Sequence, residues 1–398
     1  MNYLYSNLMN KVRMATGHYK NSVPYLSTEP YLNNILIQSI CDAVGFYRQY
    51  WGFNFFEILA ELASAQTQMV DSLIVHSLKF KHQGQYEAAC MVLAYADTLG
   101  CHTQYSRLLS ADLLRKLRKF TEARKLCDEL RRDFPDFDDV ESCRAMCDVD
   151  ELLNCPYDYY YLLHCAHMIV KPARYIEIGV ALGKSLALTR AGTFAIGIDP
   201  SAANCDGLFF HSPEVEPLLF AMTSDCFFDA LDVHSLLGYQ SFDMAFIDGD
   251  HTFEQALKDF IQLERLAGPS SVVFIHDCLP VNPVVAEKQR KTMFWCGDVW
   301  KVLPCLKKIR PDLNIITFPA TPAGLAMVTG LNPASRVLEQ QFDTIVSSFS
   351  DIQLPESYSE RCLLLNVADK DAVELLEEHL APLVCMNQGC LAGSHEYP

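Results

Sequence analysis

The stretch Tyr175–Asp199, YIEIGVALGKSLALTRAGTFAIGID, decides the fold. The apolar run Arg174–Ile178, stopped by a glycine, reads as a buried parallel strand. Gly179 and Gly183 form the turn, Lys184–Arg190 reads as a short helix, and Phe194–Ile198 as the next strand. Two acids frame the unit: Glu177 near the end of the first strand and Asp199, 22 positions later, at the end of the second. An acid at that place in a nucleotide-binding sheet accepts hydrogen bonds from ribose hydroxyls. The glycines let a ligand approach the backbone at a helix N-terminus. The pattern points to an adenosine-like guest.

The alternation continues downstream. Leu218–Thr223 reads as a third strand, followed by Asp225. Phe242–Ile247 is the fourth and delivers Asp248-Gly249-Asp250-His251 to its carboxyl end, ahead of a helix over Phe253–Leu266. Ser271–Ile275 is the fifth and delivers His276-Asp277; after a long connection come Leu313–Phe318 and Gly324–Val328. Ligands of such sheets bind beyond the strand carboxyl ends, which is where Glu177, Asp199, Asp225, Asp248 and Asp277 fall. Five acids around one crevice require a cationic or donor-rich ligand, or a metal.

Residues 174–331 resemble the class I S-adenosylmethionine-dependent methyltransferases. EIGVALG (Glu177, Gly179, Gly183) looks like the family's first motif, GIDP carries its ribose acid Asp199, and TSDCFF carries the adenine-side acid Asp225. FIDGDHTFE is similar to the small-molecule O-methyltransferase branch of the methyltransferase-24 type. The resemblance implies a Rossmann-like seven-stranded sheet with helices on both faces and the last strand inserted antiparallel. It also implies S-adenosylmethionine held by Glu177, Gly179, Gly183, Asp199, Asp225 and Asp248, and a small-molecule acceptor. Cation-dependent members place an acid after the fourth strand, a base three residues on and two ligands after the fifth. Here those positions are Asp248, His251 and the pair His276 and Asp277. That ligand set suggests a divalent cation such as Mg²⁺; a histidine in it favours a softer metal, or makes His276 a hydrogen-bonding partner instead.

Methyl transfer is an in-line displacement that needs the acceptor oxygen held in place and relieved of its proton. His251 titrates in the useful range, and Asp250 competes for the role; the plain alternative for His251 is a contact at the start of the following helix. In the connection CLPVNPVVAEKQRKTMFWCGDVWKVLPCLKKIRPDL, Arg290 and Trp295 are the candidates for the acceptor pocket. Trp300 and Lys301 are read as part of an amphipathic helix Val299–Ile309, kinked at Pro304, that packs on the sheet.

The chain before this region is of another kind. GQYEAACMVLAYA at 84–96 and RKFTEARKLCDEL at 118–130 superpose at an offset of 34, Tyr86 on Phe120 and Ala89 on Ala123, with Pro135 closing the second unit. The pattern resembles two tetratricopeptide repeats over about 69–136. Apolar periodicity over 30–66 predicts further packed helices. The expected division is an all-α helical-hairpin domain at 1–155, a methyltransferase domain at 156–331 and a helical extension at 332–398. The helical part serves either as packing and a homodimer interface or as a groove for a protein partner.

Composition narrows the classes. A charge of −17 disfavours nucleic acid as a partner. Neither an N-terminal leader pattern nor an apolar run long enough for a membrane span is found. Sixteen cysteines without a CxxC pair read as buried small hydrophobes of a reducing compartment, so the chain is expected to be cytoplasmic. Two rivals stay open: a non-catalytic interaction scaffold with a ligand-sensing sheet domain, and a nicotinamide-dependent dehydrogenase, which ExGxxxG in place of GxGxxG disfavours.

Overall fold

Parallel pairing of Arg174–Ile178 (β1) with Phe194–Ile198 (β2) is the seed of the larger part of the molecule. The computed structural model describes residues 67–387 other than 83, 99–101, 154–156, 182 and 203–216. The expected helices at 30–66 and the tail after 387 lie outside the described residues. The chain divides into two compact units, Met1–Cys147 and Asp148–Pro398. This division falls a few residues before the expected boundary at 155, and the second unit includes residues 332–398.

In the first unit, α1 (Thr67–His82), α2 (Tyr86–Thr98), α3 (Gln104–Lys116) and α4 (Phe120–Asp133) follow each other across short turns, and α5 begins at Asp139. Short connections fold each helix back along its predecessor. Tyr86 and Phe120 each open a helix, and Ala89 and Ala123 are fully buried where backbones approach. Leu78, Leu93, Leu109 and Leu113 share one apolar cluster.

The second unit is built on a seven-stranded sheet in the order β3-β2-β1-β4-β5-β7-β6. It comprises α6 (Tyr159–Val170), β1, β2, β3 (Leu218–Phe220), α7 (Ser224–Ala230), α8 (Val233–Leu236), β4 (Phe242–Ile247) and α9 (Phe253–Arg265). Next come β5 (Ala267–His276), α10 (Val302–Ile309), β6 (Asn314–Phe318), β7 (Leu325–Thr329), α11 (Val337–Gln340), α12 (Phe342–Phe349), α13 (Tyr358–Leu364) and α14 (Ala372–Asn387). The first five strands run parallel, and β7 lies antiparallel between β5 and β6. The strand order reverses between β1 and β4, which opens a crevice at their carboxyl ends.

Alternation along the strands sorts side chains to two faces. Ile176, Ile196, Ala245 and Val273 join α9, α10 and α12 on one face; Tyr175, Ala195, Met244 and Val272 join α6 and α14 on the other. Phe246, Phe260 and Phe274 are fully buried, and each contributes about 1.5–3 kcal/mol of hydrophobic stabilisation. Arg361 fastens the C-terminal helices to the segment after β5, its guanidinium donating to the carbonyls of Pro280 at 3.0 Å and Val281 at 2.6 Å.

Three local readings change. The helix expected at Lys184–Arg190 is one 3-10 turn, Leu186–Leu188. Ser185 turns its hydroxyl to Glu177, and Thr189 donates to the Leu186 carbonyl, so side chains compete with helix continuation. Pro304 does not kink a long helix: a 3-10 turn at Val299–Lys301 leads into α10, where Pro304 sits in the first turn and its missing N–H costs nothing. The third strand stops at Phe220.

Candidate active site

The turn after β1 is built around close backbone approach. Gly179 has φ +88°, its N–H donates to the Ile198 carbonyl at 2.8 Å, and a Cβ there would stand 1.9 Å from the Asp248 carbonyl oxygen. Gly183, at φ +83°, closes the turn by donating to Val180. Asp199, at the end of β2 and 8 % exposed, accepts from the N–H groups of Ala181 at 2.8 Å and Ser201 at 2.6 Å. Each carboxylate oxygen keeps a lone pair for a ligand hydroxyl.

Glu177 lies beneath that turn and not on its surface. It is fully buried and accepts from the Tyr175 hydroxyl and the Ser185 hydroxyl, each at 2.7 Å. Burial pushes its carboxyl up to about 8, with Asp248 and Asp199 adding to the effect. Direct contact with a cofactor, expected from the sequence, does not follow from this placement; Glu177 supports the turn from below. Asp225 stands at the margin of the crevice, half exposed, accepting from Gln255 at 2.9 Å and Lys258 at 3.2 Å, both on α9. Those donors hold its carboxyl below the usual range.

The carboxyl ends of β4 and β5 bring Asp248, His251, His276 and Asp277 into one cluster. Nδ1 of His251 is 2.8 Å from Asp277 Oδ2, and its Nε2 is 3.5 Å from Asp248 Oδ1. Nδ1 of His276 is 3.1 Å from Asp248 Oδ1 and 3.4 Å from Asp277 Oδ1. His251 and Asp277 both take left-handed backbone, φ +58°, the kind of local strain that surrounding structure must hold in place. Burial works against charge on both imidazoles, but the two carboxylates outweigh it and raise His251 to about 9 and His276 to about 10. Asp277 is correspondingly held well below its ordinary range; burial opposes this, and the two histidines prevail. The expectation that His251 titrates near neutrality is thus corrected: two carboxylates keep it protonated there.

Loop residues finish the wall. The His251 ring stacks on Trp295 at 5.3 Å with a 13° tilt, and Nδ1 lies 3.1 Å from the Trp295 carbonyl. Gly297 makes this possible, since a Cβ there would stand 1.7 Å from the His251 carbonyl oxygen. Trp295 donates its indole N–H to the Glu287 carbonyl, and Arg290 donates to the carbonyls of Thr292 and Met293. Both are expected to face an acceptor; their polar groups bond to carbonyls of the loop, and the Trp295 ring lies against His251. Asp250, the competing base, lies outside the cluster and accepts from Thr252 at 2.9 Å. Trp300 is buried in the core.

Tyr159 and Tyr160, at the start of α6, were not singled out in the sequence. Tyr159 stacks on His276 with ring centroids 3.9 Å apart, and Lys184 lies 4.0 Å over the ring of Tyr160. The run YDYYY just before a helix that precedes β1 was the available signal. Asp298 accepts from the Phe253 N–H at 2.7 Å and fixes the start of α9. Asp259 was a further omission; buried on α9, it accepts from Ser224 at 2.6 Å, and burial raises its carboxyl to about 6.

Asp248, His251 and Asp277 can bring one ligand atom each within 4.8 Å of one another, so the spacing alone would suit a cation. His276, the fourth expected participant, points Nδ1 at the carboxylates, and its Nε2 has no hydrogen-bond partner among the described residues. Without a cation the two imidazoles and the two carboxylates pair with one another; Asp248, His251 and Asp277 are the residues that would hold one, and no step of the chemistry is routed through it.

A family model described as a methyltransferase domain matches residues 176–278. A search of curated proteins finds no match. Among solved structures, the chain is similar to the O-methyltransferase TomG from Streptomyces achromogenes, involved in tomaymycin synthesis and solved with SAM. The identity is 20 % and the TM-score 0.32, over 47 % of this chain and 87 % of that one. It is similar also to a Bacillus cereus O-methyltransferase solved with SAH, at 16 % identity and TM-score 0.31, over 46 % of this chain and 89 % of that one. The SAH-bound Podospora anserina methyltransferase PaMTH1 matches at 15 % identity and TM-score 0.33, over 53 % and 86 %. No helix among the described residues is long and apolar enough to cross a membrane. Residues 176–278 of the sheet unit thus match a methyltransferase-domain model of the methyltransferase-24 type, and they lie on a Rossmann-like seven-stranded sheet.

Proposed function

We infer that the protein transfers a methyl group from S-adenosylmethionine to an oxygen of a small-molecule acceptor. The observation that carries this reading is the meeting of the Gly179 turn, Asp199 and the His251–Asp277 pair at one crevice within the methyltransferase segment. When bound, S-adenosylmethionine supplies a methyl group on a positively charged sulfur. The residues fit such a guest. Gly179 leaves room at the turn, Asp199 keeps lone pairs for the ribose hydroxyls, and Asp225 stands where an adenine amino group can donate.

The acceptor's proton goes to His251. The Trp295 carbonyl can only accept, so in the neutral imidazole Nδ1 carries the hydrogen and Nε2 is the basic atom. Asp277 beside Nδ1 stabilises the imidazolium that forms. Because the carboxylates raise His251 to about 9, the basic form becomes abundant only in alkaline solution. Tyr159 packs on the His276 imidazole and Trp295 on that of His251.

Titration calorimetry of the purified full chain with S-adenosylmethionine and with S-adenosylhomocysteine tests the donor; absence of binding by both overturns the reading. Mass spectrometry of methylated products from a metabolite extract, with and without EDTA, identifies the acceptor. The same products are expected in both arms.

A further inference from the structure

Glu177 is a buried carboxyl whose charged neighbours among the described residues, Asp199 and Asp248, are acids, with the Lys184 ammonium over the nearby Tyr160 ring. It is 0 % exposed, and its partners are the hydroxyls of Tyr175 and Ser185, both neutral. The groups that face it come from every element packed around it. Asp199 comes from the end of β2, Asp248 from the end of β4, Tyr160 from α6, and Tyr175 and Ser185 from β1 and the glycine turn. His167 on α6 lies edge-on to Tyr175 at 4.7 Å, but burial holds its imidazole down at about 3, so it is neutral. Among the described residues no lysine or arginine pairs with Glu177. A carboxylate so placed must either keep its proton or receive positive charge from outside the chain.

The crevice above it is where the proposed donor sits, and the donor's charge changes during the reaction. S-adenosylmethionine carries a sulfonium, an ammonium and a carboxylate, one net positive charge; the homocysteine product has lost the sulfonium charge. Transfer breaks the S–CH₃ bond with its electron pair staying on sulfur, forms the O–CH₃ bond, and sends the acceptor's proton to His251.

We propose that Glu177 is a proton counterweight to the donor: protonated in the empty protein, ionised when the cationic donor fills the crevice, and protonated again from solvent once the neutral thioether remains. This rests on the donor reading above. The mechanism lets one site hold the charged substrate and release the uncharged product. A charge on Glu177 attracts only the former, and with the product bound the carboxyl reverts to its neutral form. The raised carboxyl, at about 8, means that roughly nine in ten molecules hold the proton at pH 7 before the donor binds. Donor affinity should then rise about tenfold from pH 7 to pH 9, the gain in the ionised fraction.

The test is a proton inventory by titration calorimetry on the full chain at pH 7, in two buffers of different ionisation enthalpy, with S-adenosylmethionine and S-adenosylhomocysteine as probes. Glu177→Gln is the comparison. Like the neutral acid it offers one acceptor and one donor group, so one of the two hydroxyls, Tyr175 or Ser185, accepts where it had donated; thermal unfolding checks that the variant folds as the parent does. The difference isolates Glu177 from the donor's own ammonium group. The parent is expected to release close to one proton more than the variant on binding S-adenosylmethionine, with no such difference for the product. Equal proton counts in parent and variant overturn the proposal, as does a release with the product as large as with the donor. If neither probe binds the parent, the donor reading fails, and this proposal with it.

Discussion

Replacing Gly179 by alanine tests whether the contact between the β1 and β4 turns shapes the crevice. A Cβ at 179 would lie 1.9 Å from the Asp248 carbonyl oxygen, 2.3 Å from its carbonyl carbon and 2.7 Å from the Gly249 nitrogen. All three atoms are backbone, so no side-chain rotation relieves the overlap. The Asp248 N–H is itself tied to the Ile178 carbonyl at 2.8 Å. Gly192 is an internal control, with φ +86° against +88° but nothing within 4 Å of the place an added methyl would take. Left-handed backbone costs alanine about 1–2 kcal/mol, offset by about 0.4–1 kcal/mol from a stiffer unfolded chain. Gly192→Ala should therefore cost about 0.5–1 kcal/mol. Gly179→Ala adds overpacking of about 1–3 kcal/mol, for a total of about 2–4 kcal/mol. At about 2–4 °C per kcal/mol for a unit of this size, the melting temperature should fall by roughly 5–15 °C for Gly179→Ala and by about 1–4 °C for Gly192→Ala. Thermal unfolding followed by circular dichroism reads the difference, and calorimetry with S-adenosylhomocysteine reads the crevice. Coincident melting of the two variants, or unchanged product affinity in Gly179→Ala, would refute the reasoning.

Three further outcomes are expected. If His251 is the base, kcat/KM should climb close to tenfold per pH unit from neutrality and level near pH 9, since the basic form appears only as pH rises through the raised value. His251→Ala should lose about 10²–10⁴-fold in rate, and a rate that falls with pH would contradict the assignment. Asp199→Asn should weaken S-adenosylhomocysteine binding by about 1.5–3 kcal/mol, the worth of hydrogen bonds to a charged acceptor; calorimetry giving unchanged affinity would remove Asp199 from the site. Arg310 and Glu264 form a buried pair with contacts of 2.8 and 2.7 Å. Arg310→Met should cost about 3–5 kcal/mol by stranding a buried carboxylate, and adding Glu264→Gln should recover part of that in urea unfolding; no recovery would mean that the cost lies elsewhere.

Much of the fold was legible in the residues because period-2 apolar runs and turn glycines act locally. Arg174–Ile178, Phe194–Ile198 and Phe242–Ile247 form strands with the expected bounds. The chemistry-bearing residues Asp199, Asp248, His251 and Asp277 lie at the strand ends where the pattern put them. The failures share a cause. Lys184–Arg190 is a single 3-10 turn because Ser185 and Thr189 spend their hydroxyls on Glu177 and Leu186, partners that local propensity does not register. For Arg290 and Trp295, likewise, composition does not show that carbonyls of their own loop take up their polar groups.

The sequence by itself determined which residues reach the crevice, because strand alternation and glycine turns fix where each strand ends and which side chains come next. Only the tertiary structure decided what state those residues are in. Packing β1, β4 and β5 side by side sets two carboxylates against His251 and His276 and raises both, while closing the turn over Glu177 buries a carboxyl that no lysine or arginine among the described residues pairs with. Charge state depends on neighbours distant in the chain and on exclusion of water, and neither is present in a linear order of residues.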